Sequence, residues 1–240
     1  MSLPATVAGA VGTLGRRCAR ACRMLLVVAL ACAGTGAAQA QLMRGAGEAC
    51  HPVTLRAPSA PEPTARQVCI PPDYVRHAVR GTTRADLALT ARWPTMEGAF
   101  GPGWRERPHD QETWGGLLII LFGPVGSYPD IRARFEATKR LNHLTVPAEP
   151  AHGLVRLAAD TDALTPGERA WRIHEVYFGG EGEDFIYIRC ALPQPASFAG
   201  CDAEFTQDGY LVKVSFSRVF LPQWDAIRDA TGRLVSGFGR

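Results

Sequence analysis

Lysine is almost missing from this chain of 240 residues: Lys139 and Lys213 are the only two, and the other 24 of its 26 basic residues are arginine. So general a bias reads as genome composition rather than a designed anion site, although arginine is the better bidentate partner for a carboxylate. Catalytic motifs are missing as well. No serine stands in a G-x-S-x-G frame, there is no H-E-x-x-H, and no two of the six histidines (51, 77, 109, 143, 152 and 174) lie at i, i+4. Gly179-Gly180-Glu181-Gly182 is followed by strand-like sequence rather than a helix N-terminus, which excludes a phosphate loop. Asp160-Thr161-Asp162 with Glu168 lacks the glycine and ligand alternation of a calcium loop. Glu183 and Asp184 are adjacent in a turn, so their side chains diverge. These absences point away from an enzyme and imply no cofactor and no metal. Long apolar runs are also lacking. The stretch at residues 24–32 (MLLVVALAC) is less than half of the roughly 20 residues that a spanning helix needs.

That short stretch has a different meaning. Arg16, Arg17, Arg20 and Arg23 precede it, and Ala38-Gln39-Ala40 follows as a small-x-small cleavage site. Basic, apolar and small residues in that order make a secretory signal, so residues 1–40 are expected to be removed and the mature chain to begin at Gln41 in the periplasm. An alternative is lipidation at Cys32, since Ala29-Leu30-Ala31-Cys32 is a passable lipobox, which would tether the protein to a membrane. Cleavage takes four arginines and no acids, leaving 22 basic residues against 23 acidic ones. The net charge falls from +3 to −1, which removes any electrostatic case for nucleic acid.

Export also sorts the seven cysteines, because Cys18, Cys22 and Cys32 lie in the leader. Cys50, Cys69, Cys190 and Cys201 remain, spaced too widely for a zinc site but suited to disulfides in an oxidising compartment. Of the three possible connectivities, Cys50–Cys69 with Cys190–Cys201 closes the shortest loops and is expected.

Residues 41–67 have little pattern and include the extended run Ala57-Pro58-Ser59-Ala60-Pro61-Glu62-Pro63, so they are expected to form a flexible segment ahead of one domain over 68–240. Within that domain, residues 86–93 alternate as a strand with one buried face, stopped by Pro94. Residues 117–122 (LLIILF) read as a central strand covered on both faces. Residues 130–141 fit a weak helix, and 154–158 a short strand. Residues 171–178 and 185–190 should form one hairpin, and 203–206 with 211–216 a second one across Asp208-Gly209. Pro222 then opens a helix whose stripe is Leu221, Trp224, Ile227, Leu234, Val235 and Phe238. The fold class is therefore α+β: an antiparallel β meander packed against a C-terminal α-helix and stapled by two disulfides.

Two arrays carry hints of function. Residues 95–113 form a long loop rich in glycine, proline and charge, with Trp104, Arg105 and Arg107 inside it and Trp93 and Trp114 at its flanks. Tryptophan and arginine together make up the composition of a binding hot spot, and these five residues are the expected protein interface. The second array is Phe185-Ile186-Tyr187-Ile188-Arg189-Cys190, Cys201, Asp208-Gly209-Tyr210, Phe216, Leu221-Pro222-Gln223-Trp224-Asp225-Ala226-Ile227 and Ser236-Gly237-Phe238. It resembles a pattern in uncharacterised exported proteins of proteobacteria that look like the immunity proteins of type VI secretion systems. The resemblance implies a non-enzymatic protein that binds and neutralises a partner, a toxin encoded by an adjacent gene. An envelope hydrolase whose histidine and carboxylate groups converge only in the fold, and a structural accessory lipoprotein, are the competing classes.

Overall fold

The computed structural model describes residues 50–58, 65–76, 83–101, 113–127, 129–160, 162, 165–167, 174–191 and 199–239. The leader expected at residues 1–40 lies outside them, as do Trp104, Arg105 and Arg107. The first strands are β1 (His51–Arg56) and β2 (Ala65–Ile70), an antiparallel pair, with β3 (Thr83–Arg84) added parallel to β1. Then follow β4 (Leu87–Arg92), β5 (Glu97–Gly98), β6 (Leu117–Pro124), helix α1 (Ile131–Leu141), β7 (Val146–Ala151) and β8 (Leu154–Ala158). The chain closes with β9 (His174–Gly179), β10 (Ile186–Ala191), β11 (Gly200–Gln207), β12 (Tyr210–Ser217) and helix α2 (Trp224–Phe238).

Strands β4 to β12 form a nine-stranded sheet in the order β5-β4-β6-β12-β11-β10-β9-β8-β7. The meander runs from β7 to β12, and both expected hairpins belong to it. At its tight turn Asp208 and Gly209 take φ of 48° and 75°, the pair of positive values that favours Asp-Gly there. The sheet's edges are poor templates for another strand. β5 has two residues, and β7 carries Pro147 and Pro150, which have no N–H to donate.

Alternation along each strand sorts the residues onto two faces. On the first face Leu89, Ile120, Ile188, Phe205, Val212 and Phe216 form the main core. Val53, Leu55, Val68 and Ile70 of the small sheet and Ile227, Leu234, Val235 and Phe238 of α2 belong to the same buried cluster. Trp224 is only half-buried and donates its indole N–H to the His152 carbonyl at 2.8 Å. On the second face, Ile131 and Phe135 of α1 pack over Val176, Phe185, Tyr187 and Leu211. Asp130 caps α1, accepting from the amides of Arg132 at 2.6 Å and Ala133 at 3.3 Å.

Both disulfides form as paired. Cys50 and Cys69 lie 5.3 Å apart at Cα, and Cys190 and Cys201 stand opposite each other on β10 and β11 at 4.1 Å. Two expectations fail. The stretch 41–67 contains β1 and the first three residues of β2, and Val53 and Leu55 are buried. Its pattern was hidden because β1 is only six residues long and meets the proline-rich run directly. β6 is central, but its second face is only partly covered: Ile119 is 48% exposed, with Leu117 and Leu121 half-buried on either side of it. An unbroken apolar run cannot reveal which of its faces a distant element will reach.

Candidate protein-binding face

Trp93 and Trp114 sit near each other along the chain ends that hold the 95–113 loop, yet they serve opposite faces of the sheet. Trp93 packs against the main core and donates its indole N–H to Gln223 Oε1 at 3.0 Å. Its backbone N–H is taken by the Gly116 carbonyl at 2.7 Å. Trp114 lies on the second face, against Gly200, where a Cβ would stand 2.6 Å from the ring's Cη2. Only a glycine in β11 lets the indole approach the sheet so closely. The other end of the loop is anchored by the Phe100 amide donating to the Asp73 carbonyl at 2.8 Å.

The second face is laid out by strand register. One row runs Val176, Arg189, Asp202, Ser215, Ile119, Thr90 from β9 to β4. Its neighbour runs Phe178, Tyr187, Glu204, Lys213, Leu121, Ala88. Each row passes from groups under α1 to groups beyond it. At the covered end the Arg134 guanidinium forks onto Glu204, with 2.7 and 2.9 Å bonds, and ties α1 to β11. Burial, and then the Glu204 charge, push the Tyr187 phenol up to about 12. In mid-sheet, Asp202 accepts from the Ser215 hydroxyl at 2.6 Å, Arg189 at 2.9 Å and Lys213 at 3.0 Å. Burial alone would raise this carboxyl, but the Ser215 hydrogen bond and the two cations outweigh it and hold it below its ordinary value.

A second charged group lies on the first face. Glu175 is 5% exposed and accepts from Arg156, from Arg218 and from the Tyr177 hydroxyl, the last at 2.9 Å. Arg218 also donates to the Ala191 carbonyl at 3.1 Å, and the rings of His152 and Tyr177 stand 5.9 Å apart. Desolvation works to raise the Glu175 carboxyl, yet Arg218, Tyr177 and Arg156 together leave it lowered. A carboxylate so stabilised is a weak base, which argues against proton transfer at this position. The sequence signal was present: Glu175 is the one acid among the apolar residues of its strand face. Its partners are far away and could not be named. Among the described residues no group of three or more His, Cys, Asp or Glu is placed to hold a metal ion.

No family model matches the chain, and no curated protein matches it. Among solved structures, the fold is similar to that of Smlt3025, an immunity protein of the Stenotrophomonas maltophilia type IV secretion system. The TM-score is 0.53 at 16% identity, over 79% of this chain and 94% of that one. FrpD, an iron-regulated outer membrane lipoprotein of Neisseria meningitidis, matches with a TM-score of 0.43 at 10% identity, over 79% of this chain and 92% of that one. Smlt3025 belongs to a type IV system, not to the type VI class that the sequence resemblance suggested. At such identities the likeness is one of fold alone: an α+β domain similar to that of an immunity protein.

Proposed function

We propose that this chain is an exported envelope protein that binds and neutralises another protein, a toxin encoded by an adjacent gene. The observation that carries the proposal is the fold shared with Smlt3025 along 94% of that protein's length. Two disulfides agree with an oxidising compartment. The basic, apolar and small-residue pattern of residues 1–40 agrees with export. Residues 95–113 supply part of the interface through Trp104, Arg105 and Arg107, with Trp93 and Trp114 at its flanks. Whether the blocked toxin comes from a type IV or a type VI apparatus follows from the genes beside it.

The test is calorimetry between the mature chain, purified from the periplasm, and the purified product of the adjacent gene. Tight binding, together with rescue of cells that express that product in the periplasm, is the expected result. The Trp104→Ala/Arg105→Ala/Arg107→Ala variant should bind at least about thirtyfold more weakly, equivalent to about 2 kcal/mol. Equal affinity in a folded variant would remove the loop from the interface. No binding by the wild type would overturn the proposal.

A further inference from the structure

The open part of the second sheet face combines features that a solvent-facing sheet does not need. Among the described residues, the cluster under α1 takes in residues of β9 and β10 and Leu211 at the start of β12, and no residue of β6. Across β6 and β12 the face carries Ile119, half-buried Leu117 and Leu121, and the Asp202 group. Polar residues ordinarily fill the wet face of an antiparallel sheet, whereas here an exposed isoleucine in the middle of a central strand stands between two half-buried leucines of the same face. The charges beside it are unequal. Arg189 and Lys213 share the single carboxylate of Asp202, while Glu204 is taken up by Arg134. Among the described residues of this face one positive charge is left over, next to the apolar row.

We infer that this face docks a protein partner presenting an apolar side chain flanked by carboxylates. Ile119 makes the apolar contact, and Arg189 and Lys213 meet the acids. The inference rests on the protein-binding reading above and names the chemistry of the partner. Charge complementarity selects an acidic partner, since a basic one would set like charges against Arg189 and Lys213. Both cations are already held by Asp202 at 2.9 and 3.0 Å, so little side-chain freedom remains to be lost on docking. Strand addition is a poor alternative mode, because one edge strand has two residues and the other contains Pro147 and Pro150.

The experiment uses the mature chain and the purified product of the adjacent gene, with calorimetry at low and high salt. Ile119→Asp should weaken binding by about thirtyfold while leaving the melting temperature unchanged, since the side chain is half in water already. Arg189→Gln/Lys213→Gln should weaken binding and flatten its salt dependence. Val219→Asp, an exposed position ahead of α2, should bind as the wild type does. If removing both cations unfolds the chain, Ile119→Asp alone decides. Wild-type binding with no loss in Ile119→Asp overturns this surface and leaves the protein-binding reading standing. Absence of wild-type binding overturns both. A dimer in sedimentation that Ile119→Asp disperses would make a second copy the occupant and overturn the acidic partner.

Discussion

Replacing Glu175 with glutamine keeps the side chain's size and removes its charge, leaving Arg156 and Arg218 without the carboxylate on which both converge. Breaking a fully buried pair costs about 3–5 kcal/mol, because the surviving charge has lost its compensation. Here the arginine side chains keep 32% and 22% of their exposure, so water screens part of the loss. The expected cost is about 2–3 kcal/mol. With a urea dependence of about 2 kcal/mol per molar, the midpoint should fall by about 1–1.5 M at pH 7. The pH dependence isolates the charge. Glu175 is lowered in the folded protein, so its stabilisation is fully present above about pH 5 and is lost as pH falls through its folded value. The gap between wild type and Glu175→Gln should therefore narrow steadily below about pH 5. Equal midpoints at pH 7 would refute the reasoning. So would a gap that keeps its full size down to the pH at which the fold is lost, which would assign the effect to shape rather than charge.

Two further outcomes follow from the same structure. Phe135 is 4% exposed and faces the rings of Phe178, Phe185 and Tyr187 at centroid distances of 4.8, 5.5 and 5.7 Å. Phe135→Ala should cost about 3–5 kcal/mol in denaturant unfolding and release α1 from the sheet, whereas a cost below about 1 kcal/mol would show that the Phe135 ring is not what holds the helix. For the exported chain, intact mass should place the N-terminus at Gln41 and lie four hydrogens below the reduced value, two for each of the disulfides. Four free thiols on alkylation would refute the export reading, and an acylated Cys32 would place the protein on a membrane.

What could be read along the chain was whatever depends on near neighbours. Alternation in 186–190 and 211–216 requires one covered face whichever element covers it, and Asp208-Gly209 supplies the two positive φ values of a tight turn. The cysteine pairs closed as the spacing suggested, because Cys190 and Cys201 face each other on β10 and β11, and Cys50 directly precedes β1, the partner of the strand that holds Cys69. The helical stripe ending at Phe238 likewise found the core. β7 escaped notice because its two prolines disguise an edge strand as a loop. The placement of β6 between β4 and β12 was decided only by the assembled fold, as was the meeting of Glu175 with Arg156 and Arg218, 19 and 43 residues away. The same holds for Trp93 and Trp114, which are flanks of one loop in sequence and lie on opposite sides of the sheet. Periodicity states which residues share a face, but whether that face is dry or wet depends on which distant element arrives to cover it. Among the described residues α1 reaches as far as Tyr187 and Leu211 and stops short of Ile119, and that difference in reach, set by long-range packing, makes one half of the sheet face a core and leaves Ile119 exposed on the other.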